Sequence, residues 1–165
     1  MEKMKIYLDT NTILDFFINQ AIAIRKGEEA KIPEKLKFFL EIREKVEFIT
    51  SLFTETEVVR ELISGYNLRE EEFDKLWQNF LERLKCSYID EFIINKELAN
   101  LPKRIKMRLR TMVNFIHLFV AMKENAYLVT GDNDLIKIVR ENRIYDKIIS
   151  YPELRKLVSS SSQDL

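Results

Sequence analysis

The chain has 165 residues, of which 46% are hydrophobic and 33% are charged, and its formal net charge is zero. This composition is typical of a globular protein and excludes an intrinsically disordered one, and the length suits a single domain. With only three glycines and three prolines, a loop-rich all-β fold is excluded and helices should dominate. No global positive field recruits a polyanion, so nucleic-acid binding would require a local basic surface.

Three further features narrow the class of protein. The single Cys86 excludes an internal disulfide and a cysteine-rich zinc site, and it fits a reducing compartment. Asp9 and Asp15 interrupt any apolar signal-peptide segment near the N-terminus. The longest apolar stretch, around residues 112–122, is too short to cross a bilayer. We therefore expect a cytoplasmic protein without membrane association.

Strands and helices are predicted to alternate along the chain. An apolar run ending at Leu8 stops at an acid, and helical spacing begins at Ile13, which predicts a buried strand followed by a helix. The second strand spans residues 46–50, and Ser51 or Thr54 caps the helix after it. Further strands are predicted at 86–89, 126–130 and 148–149, and further helices from Pro33 to Leu40, at 73–84, at 93–101, at 112–125 and around 135–139.

This alternation predicts a three-layer α/β/α fold. Strands joined through helices make right-handed crossovers, which produce a central, largely parallel sheet, here of about five strands, with helices on both faces. One domain should span residues 1–158, and the serine-rich residues 159–165 should form a disordered tail.

Three carboxylates should meet at one edge of this sheet. Asp9 follows the first strand, Glu57 lies in the helix after the second, and Asp132 follows the fourth. Parallel strands point their carboxyl ends to the same edge, and ligands of open α/β sheets bind beyond that edge. Each acid also has a structural explanation. Asp9 and Asp132 occupy N-cap positions, and Glu57 would form a capping box with Thr54.

Asp9 is the acid that capping explains least well. It directly ends a strand predicted to be buried on both sides, and Thr10 and Thr12 are better placed to cap the helix. An unpaired buried charge is costly, and no lysine or arginine lies nearby in the sequence. The natural partners of clustered carboxylates are hard divalent cations such as Mg²⁺ and Mn²⁺.

Three segments of the chain then point to a known family. They are Tyr7-Leu8-Asp9-Thr10-Asn11, Ser51-Leu52-Phe53-Thr54-Glu55-Thr56-Glu57-Val58 and Leu128-Val129-Thr130-Gly131-Asp132-Asn133-Asp134-Leu135. On these segments the chain resembles PIN-domain ribonucleases, in particular the compact prokaryotic VapC-type toxins, over about residues 4–155. The resemblance implies a PIN-like fold and a metal-dependent ribonuclease, possessing an antitoxin partner if it belongs to a VapBC-type pair.

The resemblance also implies roles for individual residues. Asp9, Glu57 and Asp132 correspond to the catalytic acids that bind Mg²⁺ or Mn²⁺, and Asp134 corresponds to an additional acid near the metal. Asn11 matches a small polar residue that orients the first acid.

Asn114 departs from the family pattern, because an aspartate is usual at its position. An asparagine in the metal site offers a neutral oxygen but no charge, which should weaken metal binding unless Asp134 compensates. Two functions therefore stay open: a ribonuclease, and a catalytically weakened PIN-fold module that binds RNA or a protein. His117 lies one helical turn further on, and we expect it to be a packed, hydrogen-bonded residue rather than a catalytic base.

A basic run, KRIKMRLR, provides the local positive surface that RNA binding would need. It either contacts the phosphate backbone or forms a solvated helix face. The amphipathic helix at 73–84 is chiefly core, and in similar proteins such helices also contribute to a homodimer contact. The candidate RNA-binding residues are Lys103, Arg104, Lys106, Arg108 and Arg110.

Overall fold

A computed structural model describes residues 2–90, Lys103 and residues 112–161 of the chain. Its strands form one five-stranded sheet in the order β3-β2-β1-β4-β5, and every neighbouring pair is parallel. The strands are β1 (Met4–Leu8), β2 (Val46–Ser51), β3 (Ser87–Ile89), β4 (Tyr127–Val129) and β5 (Ile148–Ile149).

Seven α-helices surround this sheet in the described ranges. They are α1 (Thr10–Lys26), α2 (Glu34–Ile42), α3 (Leu52–Arg60), α4 (Glu70–Leu84), α5 (Met112–Lys123), α6 (Asn133–Glu141) and α7 (Tyr151–Ser161). A π-helical turn, Glu61–Gly65, continues α3. The predicted α/β class with a parallel five-stranded sheet is confirmed. None of the helices described here has both the length and the apolar character needed to span a bilayer.

Successive side chains of β1 point to opposite faces of the sheet and pack against two different layers of helices. Ile6 and Leu8 pack into one apolar cluster with side chains of α1–α4 and α7, whereas Tyr7 packs into a second cluster with side chains of α5 and α6. The same alternation separates Phe48 from Ile49 on β2, in register with Ile6 and Tyr7. Both faces of the sheet are therefore covered, as expected for parallel strands.

The order of the strands reverses between β1 and β4. From β1 the chain proceeds outward to β2 and β3, and it then returns to place β4 and β5 on the other side of β1. In sheets of this kind, ligands bind in the crevice beyond the carboxyl ends of the strands at the point of reversal. The crevice is bordered by Asp9, directly after β1, and by residues 130–132, directly after β4.

The predicted C-terminal tail is wrong for its first three residues. Helix α7 continues through Ser161, and the hydroxyls of Ser159, Ser160 and Ser161 donate hydrogen bonds to the carbonyls of Arg155, Leu157 and Val158. Serine hydroxyls inside a helix commonly donate in this way to a carbonyl of the preceding turn. Residues 162–165 and the helix predicted at 93–101 lie outside the described residues.

Candidate functional site

The three predicted acids lie close together at the point of strand reversal, in two hydrogen-bonded groups that form one polar network where His117 approaches Asp9. Asp9 is 5% exposed, and the Glu57 side chain is 31% exposed. Asp132 is partly buried at the start of α6. Two residues connect the acids: Thr130 joins Asp9 to Asp132, and His117 lies between Asp9 and Glu57.

Asp9 occupies the N-cap position of α1, but its carboxylate does not cap the helix. Instead, the Thr130 hydroxyl donates to Asp9 Oδ2 at 2.7 Å. Thr10 and Thr12, predicted to be the better caps, turn elsewhere: the Thr10 hydroxyl donates to Glu57 and the Thr12 hydroxyl to the Val129 carbonyl. Helix capping therefore does not explain the Asp9 carboxylate.

Asp132 does cap a helix. The Leu135 N–H donates to its Oδ1 at 3.0 Å, and Asn114 Nδ2 donates to its Oδ2 at 3.1 Å. Its own N–H donates to the Thr130 hydroxyl oxygen at 3.1 Å. Both oxygens of Asp132 are thus engaged, and Asn114 stands at the acid site as a neutral hydrogen-bond donor.

Glu57 projects from α3 toward α1 and α5. Its Oε1 accepts a hydrogen bond from the Thr10 hydroxyl at 2.7 Å and lies 2.7 Å from His117 Nε2. Burial raises the pKa of Glu57, but the hydrogen bonds from His117 and Thr10 outweigh it, so the pKa lies below the ordinary value of 4.5. The predicted capping box is wrong, because Ser51 caps α3 by accepting from the Thr54 N–H.

His117 is the most central side chain of the network. It is 1% exposed, its Nε2 lies 2.7 Å from Glu57 Oε1 and 3.8 Å from Asp9 Oδ1, and its Nδ1 lies 2.6 Å from the Tyr7 hydroxyl. The prediction of a packed, hydrogen-bonded histidine is confirmed. Its contact with two of the acids was not foreseen, and neither were the roles of Tyr7 and Thr130.

Within the described ranges, few positively charged groups lie near the three acids. Among the residues that the structure describes, no lysine or arginine side chain contacts Asp9, Glu57 or Asp132. Asp9 is held by the Thr130 hydroxyl, and in the part of the chain that the structure describes, His117 is the one group that would bring a cation near it, if protonated. A buried carboxylate in such a place would be stabilised by a bound cation.

Two carboxylates of this network have an oxygen that could ligate a hard divalent cation. Within residues 2–90, 103 and 112–161, no three His, Cys, Asp or Glu side chains already form a cluster that would hold a metal. Mg²⁺, however, commonly binds proteins through one or two carboxylates and completes its shell with water and substrate phosphate. Asp9 Oδ1 and Glu57 Oε2 are the carboxylate oxygens of this network that accept no hydrogen bond from the described residues. These two oxygens are the ligands that such an ion would use.

The remaining predicted site residues are exposed or lie outside the described ranges. Asn11 and Asp134 are exposed in the first turns of α1 and α6. Lys103 is exposed. The other predicted RNA-binding residues, Arg104, Lys106, Arg108 and Arg110, are outside the described residues.

Comparison with known proteins adds no family assignment. No protein-family model matches the chain, and no curated protein matches it. The likeness to PIN domains therefore rests on the three short segments, and the case for a site rests on the geometry of their acids.

The Thr130 hydroxyl should contribute measurably to stability, since it is the donor to a buried carboxylate. We expect Thr130→Val to lower the free energy of unfolding by about 1–3 kcal/mol, because the Asp9 carboxylate loses its hydroxyl partner. Urea unfolding at neutral pH measures this. Thr50→Val is the matched control: Thr50 is as buried as Thr130, and its hydroxyl has no partner among the described residues. An equal loss of unfolding free energy in both variants would show that the hydrogen bond to Asp9 does not contribute to stability.

The lowered pKa of Glu57 should make stability depend on pH. In the unfolded chain Glu57 takes up a proton near pH 4.5, whereas in the folded protein it does so only at lower pH. Its contribution is therefore complete above pH 4.5 and is lost as the pH falls through the folded pKa.

We therefore expect Glu57→Gln to be less stable than the wild type at neutral pH, with a difference that shrinks on acidification from about pH 6 to about pH 3. Urea unfolding across this range measures the difference. Glu61→Gln, at an exposed acid just beyond α3, serves as the control. A stability difference that stays constant with pH would show that the charge of Glu57 does not stabilise the folded protein.

Proposed function

We propose that this chain is a metal-dependent ribonuclease that hydrolyses RNA phosphodiester bonds, and that it acts as the toxin of a VapBC-type toxin–antitoxin pair. One observation supports the hydrolytic part: acids from three distant segments come together around Thr130 and His117 at the point of strand reversal, without a lysine or arginine among their described contacts. The three segments that resemble PIN domains are the ones that supply these acids. RNA as the substrate follows from that resemblance.

Asp9 and Glu57 would hold the ion, Mg²⁺ or Mn²⁺, with Asp132 next to them across Thr130. When bound, such an ion activates water and neutralises the charge that develops on the phosphate. In the reaction, water adds to phosphorus, the bond to the leaving ribose oxygen breaks, and that oxygen takes up a proton.

The chain's own residues prepare the acids for this role. Thr130 holds Asp9 through Oδ2, and Thr10 and His117 hold Glu57 through Oε1, so each carboxylate is fixed by one oxygen. The lowered pKa keeps Glu57 ionised at neutral pH. Acids that are already oriented and charged bind an ion at a small cost in conformational entropy.

The remaining parts of the proposal follow from the resemblance and the sequence. The basic run from Lys103 to Arg110 would contact the RNA backbone. The partners would be an antitoxin protein and a second copy of the chain, and the protein would act in the cytoplasm. Asn11 and Asp134, exposed in the first turns of α1 and α6, would face incoming substrate or ion.

A second function is favoured by the contact between Asn114 and Asp132. The asparagine amide already occupies Asp132 Oδ2, and the cap of α6 occupies Oδ1. An acid with both oxygens engaged in this way would suit a PIN-fold module that binds RNA or a protein without cleaving it. The two functions differ in one measurable property, the appearance of metal-dependent cleavage products.

Asp9→Asn tests the catalytic assignment directly. We expect Mn²⁺-dependent cleavage of RNA to fall by at least about 100-fold, because the ion loses a charged ligand. The fold should persist, since asparagine has the same shape and can still accept from Thr130. Cleavage of a labelled RNA pool, with and without a chelator, measures the loss.

Asp15→Asn is the matched control, because Asp15 is an exposed acid on the same helix. It should cleave RNA like the wild type. Undiminished cleavage by Asp9→Asn would refute the site, and wild-type protein that binds RNA without cleaving it would support the second function.

Asn114→Asp tests whether position 114 belongs to the ion's surroundings. Without metal, an aspartate here would replace a donated hydrogen bond with a second negative charge beside Asp132 Oδ2, so the melting temperature should fall. With Mn²⁺, the added charge should tighten binding and produce a larger rise in melting temperature than in the wild type. Calorimetric titration measures the affinity, and an unchanged affinity would place residue 114 outside the ion's ligands.

A further inference from the structure

A buried chain of polar groups runs from the interior to the acid site. It begins at the Thr54 N–H, passes through the Ser51 and Tyr7 hydroxyls to the His117 imidazole, and ends at Glu57. Tyr7, Ser51 and Thr54 are fully buried, and His117 is nearly so. Such a chain is costly in an apolar layer unless every member is hydrogen-bonded, so its geometry is strongly determined.

The direction of the hydrogen bonds can be worked out from the Glu57 end. An ionised carboxylate only accepts hydrogen bonds, so His117 Nε2 must carry a proton and donate it to Glu57 Oε1. In a neutral imidazole Nδ1 is then an acceptor, and the group placed to donate to it is the Tyr7 hydroxyl, at 2.6 Å. Burial raises the pKa of Tyr7, so its hydroxyl keeps its proton.

The remaining members fit the same direction. The Tyr7 oxygen lies 2.8 Å from Ser51 Oγ and can accept its proton, while Ser51 Oγ accepts from the Thr54 N–H. Thr54 Oγ1, at 3.3 Å from the Tyr7 hydroxyl, offers a second partner. Each hydroxyl thus donates once and accepts once, and the chain points toward Glu57.

We propose that Tyr7 is a positioning residue for the acid site: its hydroxyl donates to His117 Nδ1 and holds the ring so that Nε2–H fixes the Glu57 carboxylate. The effect on function rests on the ribonuclease activity proposed above. Tyr7 and His117 act through Glu57, and they leave Oε2, the oxygen without a donor among the described residues, for the ion.

The first test examines the imidazole alone. The chain contains one histidine, so a ¹H–¹⁵N spectrum of the ring in metal-free, full-length protein needs no assignment of competing signals. The wild type should show a protonated Nε2 and an unprotonated, hydrogen-bonded Nδ1. Tyr7→Phe should move the Nδ1 resonance toward that of a nitrogen without a hydrogen bond, and Nε2–H should exchange faster with water.

The second test measures metal binding and cleavage. In Tyr7→Phe, the Mn²⁺ concentration for half-maximal RNA cleavage should rise about tenfold, because residues that orient a metal ligand typically contribute this much. A Mn²⁺ titration without RNA should show the same shift. His117→Gln, whose amide can still donate to Glu57, should retain more activity than His117→Ala.

Tyr145→Phe is the matched control. The Tyr145 hydroxyl donates to the carbonyls of Ala121 and Ala126, within the same apolar layer but away from the acids. This variant should lose stability comparably and leave both the imidazole spectrum and the Mn²⁺ titration unchanged.

Several outcomes would overturn the positioning role. They are a proton on Nδ1, an Nδ1 resonance unaffected by Tyr7→Phe, or a Mn²⁺ midpoint in Tyr7→Phe equal to that of Tyr145→Phe. A wild type that fails to cleave RNA would instead refute the proposed ribonuclease. The imidazole spectrum requires neither RNA nor metal, so it tests the hydrogen bond from Tyr7 to His117 independently of the proposed activity.

Discussion

The buried carboxylate of Asp9 is the constraint on which the site depends. A charge at the end of a central parallel strand must be satisfied, and the structure satisfies it with a hydroxyl from the neighbouring strand end and with proximity to a histidine. Because Thr130 also accepts from the Asp132 N–H, the same hydroxyl fixes how β4 turns into α6. The Thr130 hydroxyl, which binds the Asp9 carboxylate, thus links the β1–α1 and β4–α6 junctions.

The parallel sheet explains why distant residues meet here. β1 and β4 are neighbours although 118 residues, 9–126, lie between the end of β1 and the start of β4, and their pairing aligns Leu8 with Val129. The next residues, Asp9 and Thr130, are therefore adjacent, and α5 adds His117 from the layer above. Burial of the apolar side chains fixes how the strands pair, because a slip by one residue would turn each side chain to the opposite face of the sheet. The same pairing therefore determines where the polar side chains lie.

The sequence was sufficient for the fold but only partly sufficient for the site. Strand and helix periods and the order of elements predicted the parallel sheet, and topology alone brought Asp9, Glu57 and Asp132 to one edge. The partners of these acids carry no such signal. Tyr7 alternates like any buried strand residue, and Thr130 resembles a turn residue, so their contacts emerge only when segments more than 100 residues apart pack together.

Predictions from short sequence patterns were wrong where side chains found partners that are distant in the sequence. The spacing of Thr54 and Glu57 fits a capping box, but Glu57 binds Thr10 and His117 instead, and Ser51 takes the cap. The serine-rich C-terminus has the composition of a disordered tail, yet Val158 packs into the core and the following serines extend the helix. In both cases a side chain's distant neighbours decided its role.

The two outermost strands also have a consequence for behaviour in solution. β3 contains three residues and β5 only two, so the sheet ends in very short backbone ladders on both sides. Short edge strands offer an incoming strand few unpaired amide and carbonyl groups, which disfavours edge-to-edge aggregation. A chain whose folding depends on slow, long-range parallel pairing gains protection from this architecture while its centre assembles.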